Sequence, residues 1–358
     1  MAARSLGYHI LVLDPDPSCA ARFVVEQCFT ASFEDVEAAR LLASKSAVVT
    51  LEIEKISLKS MEAASTLSPV RPGAEVLRII QDRAMQKTWL KGRAFPVGPF
   101  RAVTSELQLA LALAELGTPA FVKSARGGYD GRGQVVVREE SDAKGCWKAL
   151  GEAPCVVEKG LLLAQELSVL VARRPSGETV VYPPALNHHV NGVLEWSVLP
   201  GPFAPALAQK AMGIARDLAV GLGVEGLLVT EFFVTQSGDL FVNEMAPRPH
   251  NSFHTTEVAC VTSQFEQAVR AVCDLPLGLP DITRPGAIVN LLGDLWLTPE
   301  GPAFQEALAI PGVGVHLYGK RAARPGRKMG HLSAVGKTPE EALEHVMEAQ
   351  RRLARRST

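Results

Sequence analysis

Residues 124–137 read SARGGYDGRGQVVV, and positions 126–133 alone hold four glycines and two arginines. A β-hairpin needs one or two glycines. The excess predicts a loop whose backbone N–H groups approach an anion closely, because glycine has no Cβ atom. Lys123, which ends the preceding predicted strand, would contact a phosphate as a point charge. A solvent-exposed hairpin is the alternative, since neither the GK[ST] of a Walker A motif nor a helix follows the loop.

The composition restricts the functional classes. The chain has 358 residues, of which 47% are hydrophobic and 21% are charged, and this is enough for two or three domains. A net charge of −1 gives no support for nucleic-acid binding, and no apolar run reaches membrane-spanning length. The six cysteines form no CxxC pair, which is typical of free thiols in a reducing cytosol. We therefore expect a cytoplasmic protein without nucleic-acid or membrane partners.

The first part of the chain shows the alternation of an α/β domain. A helix that ends near Gly7 precedes a strand at residues 9–13. DVEAARLLAS, residues 35–44, predicts a helix, and SAVVTLEIE, residues 46–54, predicts the next strand. We place this α/β domain at residues 1–75.

The remainder of the chain predicts an α+β domain at residues 76–282 and a small β-rich domain at 283–358. Residues 72–93 read as one helix, and a second helix runs from a Ser105 cap to a Gly117 stop. The terminal domain is predicted to hold strands in GAIVNLLGD and GVGVHLYGK and to close with a helix that has a capping box, TPEE.

Two glutamates interrupt successive apolar strands in TEFFVTQSGDLFVNEMAP. A tight turn joins these strands, so Glu231 and Glu244 are expected to lie side by side on a hairpin. Buried carboxylates are costly unless a cation compensates them, and Mg²⁺ prefers carboxylate and phosphate oxygens. Asn243 offers a further oxygen. The alternative is a pair of acids on the wet face of the hairpin.

Three shorter segments carry further polar groups. Arg248 and His250 follow in a proline-containing loop that suits small anions. RPGRKMGH, with Arg327 and Lys328, could bind a phosphate, and CVVEKG ends in a strand terminus that could meet a purine edge. Each segment alone is also compatible with an ordinary surface loop or turn.

The order of these motifs resembles the ATP-grasp superfamily, in which two α+β subdomains clamp MgATP. GGYDGRGQ, NEMAPRPHNS, TSQFEQAVRAVCDLPLG and RPGRKMGH resemble more closely the N5-carboxyaminoimidazole ribonucleotide synthetase family, and the resemblance covers nearly the whole chain. It implies an ATP-grasp fold with an N-terminal Rossmann-like pre-ATP-grasp domain and a small C-terminal β-rich domain.

The resemblance also implies an activity, the carboxylation of 5-aminoimidazole ribonucleotide in purine biosynthesis. In the family reaction, bicarbonate attacks the γ-phosphate of ATP to give carboxyphosphate, and the substrate amine captures the carboxyl group as an N5-carbamate. Implied partners are ATP, Mg²⁺, bicarbonate, a second copy of the chain in a homodimer, and a separate mutase that consumes the unstable product. Carboxyphosphate is labile in water, which would explain a closing glycine lid.

Site residues are implied where this sequence matches the family pattern. Glu231 and Glu244 would bind Mg²⁺, and Arg327 and Lys328 would hold the substrate 5′-phosphate. The implied ATP-binding residues are Arg83, Lys123, Gly128, Tyr129, Asp130, Gly131, Arg132, Gly133, Gln134, Glu158, Lys159, Gly160, Leu161, Glu166, His189, Asn243 and Glu244. The implied catalytic residues around bicarbonate and the imidazole are Tyr129, Arg132, Arg248, His250 and Lys328.

The chain departs from the family pattern at its start. Family members open with a strand and a GGGQLGRM-like loop, whereas Met1 here falls inside the following helix. We therefore expect a truncated first domain without its first strand. Phe253 stands where the family usually has glycine, and Glu52 or Glu54 could face the substrate. Two alternatives stay open: another ATP-grasp ligase, such as the formate-dependent glycinamide ribonucleotide transformylase, and a truncated, inactive form that only binds nucleotide.

Overall fold

The computed structural model describes residues 1–127, 133–139 and 142–354. The first part of the chain holds α1 (Ala2–Ser5), β1 (Leu11–Asp14), β2 (Gln27–Thr30), α2 (Val36–Ser44), α3 (Leu58–Ser65) and α4 (Ala74–Ile80). The first helix ends as predicted, with Gly7 at φ +82°. Asp35 caps α2 by accepting a hydrogen bond from Ala38 N at 2.9 Å, which confirms the second predicted helix.

The predicted strand at residues 46–54 is wrong. This β-branched run forms an isolated bridge between Val49 and Val70 in place of a regular strand. The parallel partner of β1 is β2, whose sequence QCFT gives little strand signal because it lacks an apolar alternation.

A four-stranded sheet follows in the next part of the chain. Its elements are α5 (Arg83–Gly92), β3 (Phe100–Val103), α6 (Glu106–Leu116), β4 (Ala120–Ser124), β5 (Gln134–Val137), α7 (Ala143–Ala149) and β6 (Cys155–Lys159). The strand order is β3-β6-β4-β5 with antiparallel pairing. Leu109 and Leu113 of α6 are fully buried against Val122 and Val157. Each such leucine stabilises the fold by roughly 2 kcal/mol.

The single helix predicted at residues 72–93 is wrong in one respect, because the structure divides it into α4 and α5. The break falls at Gln81 and Asp82, and Asp82 caps α5 by accepting hydrogen bonds from Ala84 N and Met85 N at 3.0 and 3.1 Å. An aspartate side chain in this position competes with helix continuation. The second cap is as predicted: Ser105 accepts from Gln108 N at 3.3 Å.

A larger sheet forms the centre of the molecule. Its first part comprises β7 (Leu163–Arg173), β8 (Thr179–Val181), β9 (Ala185–Val190), β10 (Val193–Leu199), α8 (Pro205–Gly221), β11 (Gly226–Thr235), β12 (Leu240–Ala246), α9 (Thr256–Ala259) and α10 (Gln264–Val272). The predicted hairpin is confirmed as β11 and β12, which pair antiparallel. Ala215 and Leu218 of α8 pack on Val169 and Leu228 of the sheet.

The last part of the chain extends this sheet. It contains β13 (Gly286–Leu292), α11 (Phe304–Leu308), β14 (Val313–Leu317), β15 (Lys328–Val335) and α12 (Pro339–Leu353). β10 pairs with β13, so the described residues give a nine-stranded sheet of order β12-β11-β7-β9-β10-β13-β15-β14, with β8 beside β7. Sequence reading missed β15, because its basic start resembles a turn. In the described part of the chain, none of the helices has the length and hydrophobicity of a bilayer span.

Candidate active site

A cleft of about 870 Å³ is lined by residues of the four-stranded sheet, the large sheet, α5 and the loop after β12. Most of the predicted site residues that the structure describes line it: Arg83, Lys123, Gln134, Glu158, Lys159, Leu161, Glu166, His189, Glu231, Asn243, Glu244, Arg248, His250 and Lys328. Gly133, Gly160 and Arg327 are described but do not line the cleft. Gly128, Tyr129, Asp130, Gly131 and Arg132 lie outside the described residues.

One end of the cleft holds two lysines around a buried glutamate. Lys123 on β4 and Lys87 on α5 each place Nζ 3.2 Å from Oε2 of Glu158 on β6. Burial alone would raise the pKa of Glu158, but the two ammonium groups together hold it below its usual range. Burial lowers the pKa of Lys87, although Glu158 opposes the shift. Two positive charges and one negative charge lie together here, and the net positive charge would attract a phosphate.

Sequence reading missed Lys87, although its spacing gave a signal. Lys87 follows Arg83 by four residues, so both face the same side of α5. The Asp82 cap fixes the start of α5, and Arg83 donates from its backbone N to Ala125 O at 2.9 Å and from Nη1 to Ser124 O at 3.0 Å. These contacts hold α5 against the strand end that precedes the glycine loop.

The two predicted metal ligands meet across the β11–β12 hairpin. Glu231 lies opposite Glu244, and the next pair is Phe232 with Val242, so Asn243 is the extra residue of a β-bulge. The bulge turns Asn243 into the cleft beside Glu244, and Asn243 Nδ2 donates to Glu231 Oε2 at 3.5 Å. Burial, followed by the charge of Glu244, raises the pKa of Glu231 to about 7. The two neighbouring carboxylates repel each other, and a cation bound between them would relieve this repulsion.

His189 and Glu166 form an ion pair on neighbouring strands of the large sheet. His189 Nδ1 lies 2.8 Å from Glu166 Oε2, with side chains that are 18% and 25% exposed. Burial would lower the pKa of His189, but the carboxylates of Glu166, Glu231 and Glu244 outweigh it and raise the pKa above its usual value. The histidine therefore holds its proton more firmly than an isolated imidazole, and the pair presents both signs of charge to the cleft.

His250 is held by a chain of buried hydrogen bonds. Asn187 Nδ2 donates to Ser168 Oγ at 3.0 Å, and Ser168 Oγ donates to Ser252 Oγ at 2.8 Å. The Ser252 proton is then directed to His250 Nδ1 at 2.9 Å. This direction places the ring proton on Nε2, 3.4 Å from Oε1 of Glu231. Burial, followed by the charge of Arg248, keeps the pKa of His250 well below its usual range, so the ring is neutral.

The loop after β12 and the end of β15 complete the cleft. Arg248 Nε lies 2.8 Å from Oε1 of Glu54, an acid of the first domain that lines the cleft. Lys328, the first residue of β15, also lines the cleft, whereas Arg327 directs Nη1 to Ala322 O at 2.7 Å. Asn251 was missed by sequence reading. Both polar atoms of its amide are buried without a hydrogen-bond partner in the described structure, although the residue lines the cleft.

Family models match three consecutive parts of the chain. Residues 1–81 match the ribonucleotide synthetase preATP-grasp domain, residues 88–265 the ATP-grasp domain, and residues 286–345 the phosphoribosylaminoimidazole carboxylase C-terminal domain. Among curated proteins, the N5-carboxyaminoimidazole ribonucleotide synthase of Bacillus subtilis (strain 168) is 38% identical over 347 residues, which are 97% of this chain and 90% of the relative. The Brucella melitensis synthase is 37% identical, with 94% and 92% covered.

Solved structures of the same enzyme superpose over nearly the whole chain. The ADP complex of an N5-carboxyaminoimidazole ribonucleotide synthetase gives a TM-score of 0.92 at 40% identity and covers 98% of this chain and 92% of its own. The synthetase from Thermus thermophilus gives 0.90 at 35% identity, with 100% and 95% covered. The Aspergillus clavatus synthase, in complex with ADP and 5-aminoimidazole ribonucleotide, gives 0.88 at 28% identity, with 98% and 94% covered.

Proposed function

The chain belongs to the N5-carboxyaminoimidazole ribonucleotide synthase family, and we propose which part of its cleft binds each substrate of this ATP-dependent ligase. ATP lies against Lys123, Lys87 and the end of β6, while bicarbonate and 5-aminoimidazole ribonucleotide meet near His250 and Lys328. The observation that carries the assignment is the arrangement of charge in the cleft. Paired lysines lie at one end, and two carboxylates lie side by side on the neighbouring hairpin.

The lysine pair supports the placement of the ATP phosphates. In the structure the single carboxylate of Glu158 lies 3.2 Å from both ammonium groups and offsets only one of their two charges. A triphosphate offers them more negative charge and more acceptor oxygens. Phosphoryl transfer depends chiefly on positioning and charge neutralisation, and Lys87 and Lys123 supply both from the rigid elements α5 and β4.

The carboxylate pair fits Mg²⁺. Glu231 and Glu244 lie directly opposite one another, and burial, followed by the charge of Glu244, raises the pKa of Glu231. A cation bound between them would relieve this repulsion. Asn243, turned inward by the bulge, would add an amide oxygen. Oxygen donors of this kind suit Mg²⁺, which when bound would neutralise charge on the phosphates. The remaining groups act independently of the metal: His189 and Glu166 form a polar wall beside the nucleotide.

The far end of the cleft suits the carboxylation step. In the proposed sequence, bicarbonate attacks the γ-phosphate to give carboxyphosphate and ADP, and the substrate amine takes the carboxyl group with release of phosphate and a proton. Arg248, fixed by Glu54, provides a positive charge for the anionic carboxyl donor. Neutral His250 donates a hydrogen bond through Nε2, and Asn251 offers two buried polar atoms that have no hydrogen-bond partner among the described residues and are available to a ligand or water.

The product of this reaction is a carbamate, which loses its carboxyl group readily. A mutase that moves the carboxyl group to carbon is therefore the expected next enzyme, and a homodimer is the expected assembly. Both expectations rest on the family alone.

The proposal is tested by ADP release from the purified chain with MgATP and bicarbonate, with and without 5-aminoimidazole ribonucleotide. We expect ADP release that depends on the ribonucleotide and falls about a hundredfold or more in Glu244→Ala. Glu195→Ala is the matched control, because Glu195 is a partly exposed acid on β10 that does not line the cleft. ADP release supported by formate and glycinamide ribonucleotide, or release unaffected by Glu244→Ala, would overturn the assignment.

A further inference from the structure

A second group of ligand-type side chains lies outside the cleft, where β14, β15 and α9 meet. His316 on β14 is directly opposite His331 on β15, and their rings stack with centroids 5.1 Å apart. Glu257 on α9 approaches the same point, with Oε2 3.7 Å from His316 Nδ1. One ligand atom from each of the three residues lies within 4.8 Å of the other two.

We propose that Glu257, His316 and His331 form a binding site for a divalent transition metal of the Zn²⁺ class. Two imidazoles and one carboxylate are a ligand set that Zn²⁺, Co²⁺ and Ni²⁺ accept, usually with water in the remaining position. Mg²⁺ prefers oxygen ligands alone. The site therefore differs in chemistry from the Glu231–Glu244 pair.

The surroundings of His331 have the features of a metal ligand. Tyr318 OH lies 3.0 Å from His331 Nδ1, which leaves Nε2 as the nitrogen for the metal. Ligating histidines commonly have their second nitrogen fixed in this way by an oxygen group.

The site is preorganised on one side and adjustable on the other. His331 is 2% exposed, whereas the His316 and Glu257 side chains are 42% and 35% exposed. Ligand atoms in a tetrahedral zinc site lie roughly 3.3 Å apart, so the two exposed side chains must move inward by about an ångström. Because both retain solvent access, this movement requires side-chain rotation and no change in the strands.

A bound metal would link two parts of the proposed active site. α9 follows the loop that carries Arg248 and His250, and β15 begins at Lys328. His254, just before α9, already stacks on His331 with centroids 4.7 Å apart and an interplanar angle of 6°. A metal at Glu257, His316 and His331 would therefore fasten the loop to the strand and lower the mobility of one relative to the other.

The experiment is metal titration of the full chain, stripped with a chelator and kept in excess Mg²⁺ so that the acid pair is saturated. Zn²⁺ and Ni²⁺ binding is measured by calorimetry, and Co²⁺ binding by visible absorption. We expect one equivalent that is lost in His316→Ala and in Glu257→Gln. Tyr318→Phe should weaken binding about tenfold. Co²⁺ in this site should show no thiolate charge-transfer band, which separates it from metal bound to the free cysteines.

His188→Ala is the matched control. His188 Nε2 lies 3.7 Å from Glu195 Oε2, with side chains 50% and 36% exposed, and its ring stacks on Trp196 at 5.0 Å. It thus reproduces the exposure, acid contact and stacking of His316, but its stacking partner is a tryptophan, which cannot bind a metal. The proposal would be overturned if metal binding is unchanged in both His316→Ala and Glu257→Gln, or if it is lost equally in His188→Ala. It would also be overturned if the wild-type chain binds no more metal than His316→Ala does.

Discussion

The most specific prediction concerns the protonation of Glu231. This carboxyl group is buried opposite Glu244, and burial together with that second charge raises its pKa to about 7. Glutamine has nearly the same shape but no charge, so Glu231→Gln removes the titration while it keeps the packing. The difference in unfolding free energy between the wild type and this variant should therefore depend on pH.

The sign and size of this dependence follow from linkage. Because the folded-state pKa is raised, the stabilisation is fully present below the ordinary pKa of 4.5 and is lost as pH rises through about 7. Each tenfold change in proton affinity is worth about 1.4 kcal/mol, so the wild type should lose roughly 3 kcal/mol relative to Glu231→Gln. The side chain is 12% exposed, and water that reaches it makes this figure an upper bound.

Urea unfolding at several values between about pH 5 and about pH 8 measures the difference, provided that the slope with denaturant is equal for both proteins. A second variant, Glu244→Gln, should lower the pKa of Glu231, since Glu244 is the second-largest cause of the shift. Mg²⁺ at about pH 8 should restore the stability of the wild type and leave Glu231→Gln almost unaffected. A difference that stays constant with pH, or equal stabilisation of both proteins by Mg²⁺, would show that this reasoning is wrong.

Three further outcomes are expected. Ser252→Ala should lower the turnover number about fivefold, the worth of about one hydrogen bond, with little change in the KM for ATP. It removes the hydroxyl contact to His250 Nδ1 at 2.9 Å and leaves only the longer contact from the backbone N of residue 252 at 3.4 Å. An equal change in both constants would contradict a positioning role. Glu158→Gln should reduce the unfolding free energy of the free chain by about 3 kcal/mol, because it leaves two buried lysines without their carboxylate. ADP should therefore raise the melting temperature of this variant more than that of the wild type. An equal rise would argue against phosphates at the lysines. Gly160→Ala should lower the unfolding free energy of the chain by roughly 1–3 kcal/mol, since a Cβ would lie 2.5 Å from Pro119 O. In the control Gly145→Ala the added Cβ meets nothing within 4 Å. Similar melting temperatures for the two variants would refute the steric argument.

Much of the site could be predicted because local rules determine it. The turn QSGD fixes the register of β11 and β12, and this register places Glu231 opposite Glu244. The apolar strands and the polar interruptions are both visible in the sequence. The bulge at Asn243 was not visible, because a single extra residue on one strand depends on how β12 packs against its surroundings.

The errors arose where tertiary contacts outweighed local preference. The run SAVVTLEIE is rich in β-branched residues, yet β1 pairs with the weaker QCFT segment. In RIIQDRAMQK, the helical periodicity continues across Asp82, and the cap became apparent only from its two hydrogen bonds. RPGRKMGH gives a turn signal through its glycines and cations, but the apolar residues after it make β15 a buried internal strand.

The balance of charge in the cleft explains why the same residues suit both the free and the bound chain. The cations Lys87, Lys123 and Arg248 each face a carboxylate, which offsets the cost of their burial. Among the described residues, Glu231 of the acid pair has instead a neutral histidine and an amide as its hydrogen-bonding neighbours. A divalent cation at the acid pair would add positive charge beside the phosphates, and phosphates at the lysines would add negative charge beside the cation. ATP and a divalent cation should consequently bind with positive cooperativity, each raising the affinity of the chain for the other.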